Sequence, residues 1–160
     1  MTTRRSFLKS STTAAGIATF AMPAVAMNLR GANERIRVGL VGLGGRMRSH
    51  IGSLTVLRES ENVEIAAICD CDQSKLDGAV KAYPDLEGLT LKRYTDQRKL
   101  FDDKSIDAVS FSTQDHWHAL QTIWACQAGK DVYVEKPPTW CIWEGRQMVK
   151  AARKYGRMVQ

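Results

Sequence analysis

Several large protein classes are excluded by what this chain lacks. Its longest broadly apolar stretch, residues 14–26, falls short of the ~20 residues a membrane-spanning helix needs. It has no internal repeats and no low-complexity tracts, so neither a solenoid nor a fibrous architecture is expected. It also lacks a surplus of one charge. With Arg4, Arg5 and Lys9 set aside, 20 basic residues face 17 acidic ones, mixed along the chain. That balance describes an ordinary soluble surface and gives no basis for nucleic-acid binding. The cysteines are few: Cys69, Cys71, Cys126 and Cys141. Their spacings match no common zinc site, and Cys69 closes an apolar strand pattern. They are read as plain thiols, neither disulfides nor metal ligands.

The first residues carry an address. Thr3-Arg4-Arg5-Ser6-Phe7-Leu8-Lys9 is a twin-arginine export signal, followed by the apolar stretch at 14–26 and by Ala24-Val25-Ala26, a small-x-small cleavage pattern. Residues 1–26 are therefore read as a signal peptide handled by the twin-arginine machinery. Residues 27–34 are read as a linker, and the mature protein as periplasmic or extracytoplasmic without a stable membrane anchor. That route carries folded cargo. A protein that loads a cofactor in the reducing cytoplasm has a physical reason to use it.

From residue 35 onward strands and helices alternate. Residues 36–41 form an apolar run broken by Arg37 and Gly39, as expected of a strand buried on both faces. Residues 46–60 carry Met47, Ile51, Leu54 and Leu57 at helical spacing. A strand at 63–69 follows, then a helix at 73–83 stopped by Pro84, a short strand at 91–94 and a short helix at 96–103. Next come a strand at 107–112 and a helix at 118–128 with Leu120, Ile123 and Trp124 inward. A strand at 131–135 precedes a helix at 142–155 with Met148, Val149 and Ala152 inward. Residues 157–160 open a sixth strand. Strands separated by helices of this length need right-handed crossovers and a parallel sheet. The fold class is α/β, a single doubly wound Rossmann-like domain over 35–160.

The chemistry-bearing residues sit at strand ends. Gly42-Leu43-Gly44-Gly45-Arg46 follows a strand and opens a helix, the context in which glycine turns cradle a pyrophosphate. Met47 stands where a small residue usually packs. Asp70 ends the second strand, placed to accept ribose hydroxyls and so to favour NAD. Lys75 leaves NADP open, and Asp72 is an alternative for the role or a cap for the following helix. Thr113-Gln114-Asp115-His116-Trp117-His118 places two histidines at the sheet edge. Their i, i+2 spacing, without further ligands, makes a poor metal site and a better positioning segment. Glu135-Lys136-Pro137-Pro138 ends the fifth strand, and a cis bond before Pro137 suits so sharp an exit. Held there, the Lys136 ammonium can hydrogen-bond a substrate hydroxyl.

Together these segments resemble the Gfo/Idh/MocA oxidoreductases, the family of glucose–fructose oxidoreductase and inositol dehydrogenase. The carriers are residues 38–46, Ala67-Ile68-Cys69-Asp70, residues 113–118 and, most specifically, Glu135-Lys136-Pro137. The resemblance implies hydride transfer between a nicotinamide cofactor and a sugar or polyol. It implies cofactor contacts from Gly42, Leu43, Gly44, Gly45, Arg46, Asp70, Thr113, His116, Glu135 and Lys136, and catalytic roles for Lys136 and His118. Gln114 and Met47 depart from the family pattern without removing a charged group. Family members run to about twice this length and are oligomeric, with a second domain that completes the substrate pocket. The chain is therefore read as the cofactor half of such an enzyme. Some relatives cleave glycosides through transient oxidation by bound NAD, and a non-catalytic nucleotide-binding fragment is the remaining alternative.

Overall fold

Strand β1 (Ile36–Val41) lies at the centre of a five-stranded sheet, with Val38, Leu40 and Val41 buried. The structure is a computed structural model and describes residues 35–160. The leader and linker at 1–34 lie outside the described residues. β1 pairs in parallel with β2 (Val63–Cys69) on one edge and with β4 (Ala108–Phe111) on the other. β3 (Lys92–Tyr94) lies outside β2, and β5 (Asp131–Val134) outside β4. The order β3-β2-β1-β4-β5 reverses direction between β1 and β4. That reversal opens a crevice beyond the carboxyl ends of the two strands, where doubly wound sheets hold their ligands.

Parallel pairing demands a crossover at each step, and helices supply it. They are α1 (Met47–Ser60), α2 (Gln73–Asp77), α3 (Ala79–Ala82), α4 (Gln97–Asp102), α5 (Asp115–Gln127) and α6 (Ile142–Tyr155). The last residues add a sixth lane, as expected. Val159 bridges Val132 in parallel, and the Gln160 N–H donates to the Val132 carbonyl at 2.9 Å.

Two apolar clusters account for the buried core. One joins Val38, Leu40, Met47, Ile51 and Ile68 to Leu76 and Tyr83. The other joins Val41, Val109 and Phe111 to Leu100, Phe101, Ala119, Ala125 and Met148. Neighbouring β1 residues Leu40 and Val41 fall in different clusters, as the alternation of a strand covered on both sides requires.

Three sequence expectations are corrected. The helix expected at 73–83 is interrupted at Gly78, whose carbonyl starts the next short turn as its N–H closes the first on Ser74. Leu120 faces outward, 40% exposed. α5 turns His118, Ala119, Thr122, Ala125 and Cys126 inward, and a residue two positions from His118 lies about 200° round the helix. Small side chains on that face bring the helix close to the sheet. Val149 is 50% exposed for the same rotational reason, because α6 buries Met148 and Ala151. All four cysteines are free thiols. Burial, then the neighbouring Asp70 charge, pushes Cys69 up to about 12.

Candidate cofactor-binding site

The glycine turn leaves β1 at Gly42, whose N–H donates to the Cys69 carbonyl at 2.9 Å. Gly42 has φ +88°, and a Cβ there would meet Thr113 Cγ2 at 2.7 Å and the Thr113 backbone N at 3.0 Å. Only glycine lets the turn lie this close to the end of β4. Ser112 Oγ fastens the same contact by donating to the Gly42 carbonyl at 2.8 Å. Behind the turn, the buried Tyr83 hydroxyl lies 2.8 Å from the Leu43 carbonyl and 2.7 Å from that of Gly44. Met47 is completely buried in the core cluster under the turn, so this departure from the expected small residue does not fill the crevice.

What the turn offers to a ligand is a row of donors. The Leu43 N–H is taken by Asp70 Oδ2 at 2.8 Å. The N–H groups of Gly44, Gly45 and Arg46 meet no acceptor among the described residues. A Cβ built on Gly44 or Gly45 touches nothing within 4 Å. α1 has no side-chain cap and no acid in its first turn. An uncapped 14-residue helix with unpaired amides and open space before it carries partial positive charge and suits a diphosphate.

Asp70 stands at the end of β2, buried, and ties the turn to the next loop. Its second oxygen accepts the Asp72 N–H at 3.0 Å, and Lys75 Nζ lies 4.0 Å from the first. A carboxylate oxygen accepts more than one hydrogen bond, so capacity remains for a ribose hydroxyl. Asp72 takes the other role weighed for it. It caps α2, accepting from the Ser74 N–H at 2.9 Å and from Ser74 Oγ at 2.6 Å.

Across the crevice, Glu135 collects partners from three elements. One of its oxygens accepts from Arg46 Nε and from His50 Nε2, the latter at 3.1 Å; the other accepts the Lys136 N–H at 2.9 Å. His50 Nδ1 in turn lies 2.7 Å from Ser110 Oγ on β4. These bonds, Arg46 first and His50 second, hold the Glu135 carboxyl down at about 2. A carboxyl depressed on folding stabilises the native state above its unfolded pKa, and the contribution disappears as pH falls toward the folded value. Stability is thus expected to drop between pH 4.5 and about 2. A Glu135→Gln variant should show a flatter acid limb in chemical unfolding followed across that range.

Sequence reasoning singled out Arg46 and Glu135 separately, and the structure joins them. It missed His50 and Ser110. A signal existed for His50: it falls on the buried stripe of α1 beside Met47 and Ile51. Lys136 lies two residues beyond β5 and is exposed, and the bond to Pro137 is cis, as expected from the sequence. His118 is 1% exposed, with Nδ1 2.8 Å from the Pro137 carbonyl and Nε2 3.1 Å from that of Thr113. It spans the ends of β4 and β5. Thr113 donates its hydroxyl to Gln121 Oε1 at 2.6 Å. His116 is exposed, with Nδ1 3.8 Å from Asp115 and its ring beside that of Trp117, centroids 6.2 Å apart. No group of three potential metal ligands occurs among the described residues.

The model of the oxidoreductase family with an NAD-binding Rossmann fold, GFO_IDH_MocA, matches residues 36–160. The chain belongs to the Gfo/Idh/MocA family. Its described part is an NAD-binding Rossmann domain. The alpha-N-acetylgalactosaminidase of Shewanella oneidensis is 34% identical over 125 residues, covering 76% of this chain and 27% of that protein. The glycosyl hydrolase family 109 protein 1 of Shewanella sp. strain MR-4 matches to the same extent. Among solved structures, the WlbA dehydrogenase of Bordetella pertussis, in complex with NADH and UDP-GlcNAcA, superposes with a TM-score of 0.69 at 28% identity. That match covers 82% of this chain and 36% of WlbA. The myo-inositol 2-dehydrogenase of Lactobacillus plantarum gives 0.66 at 26% identity, covering 79% and 36%. The Gfo/Idh/MocA chain thus spans about a quarter of the length of these curated relatives.

Proposed function

We propose that this domain serves a nicotinamide-dependent oxidoreductase of sugars or polyols that works outside the cytoplasm. The observation that carries the reading is the trio of unpartnered amides at the uncapped start of α1. Gly44, Gly45 and Arg46 hold the diphosphate. Asp70 receives the adenosine ribose and disfavours a 2′-phosphate, which selects NAD over NADP. The chemistry supplied by a bound nicotinamide is acceptance of a hydride. Lys136 donates a hydrogen bond to the oxygen of the reacting carbinol and stabilises the negative charge that builds on it. His118 has both ring nitrogens against backbone carbonyls, so its proposed part is to keep the two strand ends that carry Thr113 and Lys136 in register. The leader at 1–26 supports export by the twin-arginine route.

The test is NAD titration of this domain, followed by a panel of sugars and polyols on a protein in which it is joined to a substrate-pocket domain, with reduced nicotinamide read by absorbance. Lys136→Met is expected to lower turnover by roughly 100-fold or more while leaving NAD affinity within about threefold. Absence of NAD binding, or equal turnover in the variant, defeats the reading. The names of the Shewanella relatives favour a second reading, glycoside cleavage through transient oxidation. Free sugar released with no net reduced nicotinamide would select it.

A further inference from the structure

One buried group remains unused by that function. His50 is 7% exposed, and both its ring nitrogens are engaged, one by Ser110 and the other by Glu135. We propose that His50 is a positioning residue: braced by Ser110, it holds Glu135 in the orientation that receives both the Arg46 guanidinium and the Lys136 amide. The inference rests on the oxidoreductase reading for its purpose, but its geometry stands apart from it.

The donor logic fixes the direction of the chain. Glu135 is a carboxylate and can only accept. Whatever the charge of the ring, His50 Nε2 therefore carries a proton and donates a hydrogen bond to Glu135. Ser110 Oγ meets Nδ1 from strand β4, and the edge of the Tyr133 ring packs against the imidazole with centroids 5.3 Å apart. Three elements thus fix the ring: its own helix α1, β4 and β5. The carboxylate it orients takes the first residue of the strand exit through the Lys136 N–H, and the last residue of the glycine turn through Arg46. Glu135 is the point where the diphosphate end and the lysine end of the crevice are mechanically one. Without His50 the carboxylate keeps Arg46 but loses a partner that sets its rotation, and the Lys136 amide loses a fixed acceptor.

The same three residue types would also describe a nucleophilic serine with its base and acid. The surroundings oppose that use. Ser110 lies within β4, whose strand is paired on both edges by β1 and β5, so no spare amides converge there to stabilise an oxyanion.

The experiment uses the 160-residue chain. In the wild type, ¹⁵N shifts should show a protonated Nε2 on His50, and the Lys136 amide should exchange slowly. His50→Phe is expected to speed Lys136 amide exchange about tenfold and to weaken NAD about tenfold, the size of one lost hydrogen bond to a charged group. His50→Gln, which can donate to Glu135 from nearly the same place, should restore both to within about threefold. If His50→Phe fails to fold, Ser110→Ala decides, with Lys136 exchange faster by about threefold supporting the brace and unchanged exchange overturning it. Unchanged Lys136 exchange in a folded His50→Phe protein, failure of Gln to rescue, or labelling of Ser110 by a fluorophosphonate would overturn the proposal. If the wild type binds no NAD, the oxidoreductase reading fails, and the exchange measurements still decide the role of His50.

Discussion

Replacing Gly42 with alanine is expected to lower the unfolding free energy by about 2–4 kcal/mol, as a fall in the urea midpoint without a change in slope. Two costs combine. The backbone at φ +88° is one that an L side chain rarely adopts. The new methyl also runs into atoms that cannot retreat. Besides Thr113 Cγ2 at 2.7 Å, it meets the Thr113 N at 3.0 Å and the Ser112 carbonyl carbon at 3.1 Å. That backbone is pinned, because the Ser112 N–H donates to the Val41 carbonyl at 3.0 Å. Relief requires the turn to lift away from β4, which pulls the start of α1 with it. NAD affinity should fall together with stability. An unchanged midpoint would mean that the turn and the strand end are not in contact.

Gly44→Val should do the opposite. A Cβ at Gly44 meets nothing within 4 Å and the backbone there needs no positive φ, so the fold should hold to within about 0.5 kcal/mol. NAD affinity should drop at least about 100-fold, because an isopropyl group would occupy the space through which a diphosphate approaches the amides of Gly44, Gly45 and Arg46. Calorimetric titration beside the wild type measures it. Equal heats would show that these amides hold no phosphate. Two glycines two residues apart are thus separable by experiment, one serving the fold and the other the ligand.

The alternation of apolar strands with helical stretches made the sheet legible in the sequence, because parallel pairing leaves few other topologies. The turn at Gly42, Asp70 and the cis bond before Pro137 were legible for a similar reason: each is a local constraint that few residue types satisfy. Rotational phase was harder. Leu120 and Val149 are apolar and face out, because α5 turns the stripe through His118, Thr122 and Ala125 inward and α6 turns Met148 and Ala151 inward, and spacing alone does not reveal which stripe faces the sheet. The Asp72 cap was one of two local options, and only the Ser74 contacts decide between them. The Ser110–His50–Glu135–Arg46 chain was least legible. Arg46 and Glu135 were each singled out as cofactor contacts but not as partners of one another, and His50 and Ser110 read alone as core polar residues. Only the fold, which sets His50 of α1 against Ser110 of β4 and against Glu135 just beyond β5, brings them together.

Arg46 and its acidic partner lie 89 positions apart along the polypeptide. During synthesis the two halves of the crevice therefore mature at different moments. Once Tyr83 has left the ribosome, the turn has its carboxylate tether at Asp70 and its phenolic prop, while its fastening to Ser112 and Thr113 is still to come. The opposite wall waits for the fifth strand, and until then the guanidinium has no counter-ion and the lysine does not yet exist. On the proposed reading, the diphosphate end of the crevice takes shape before its lysine end, and capture of a whole dinucleotide waits for residue 136.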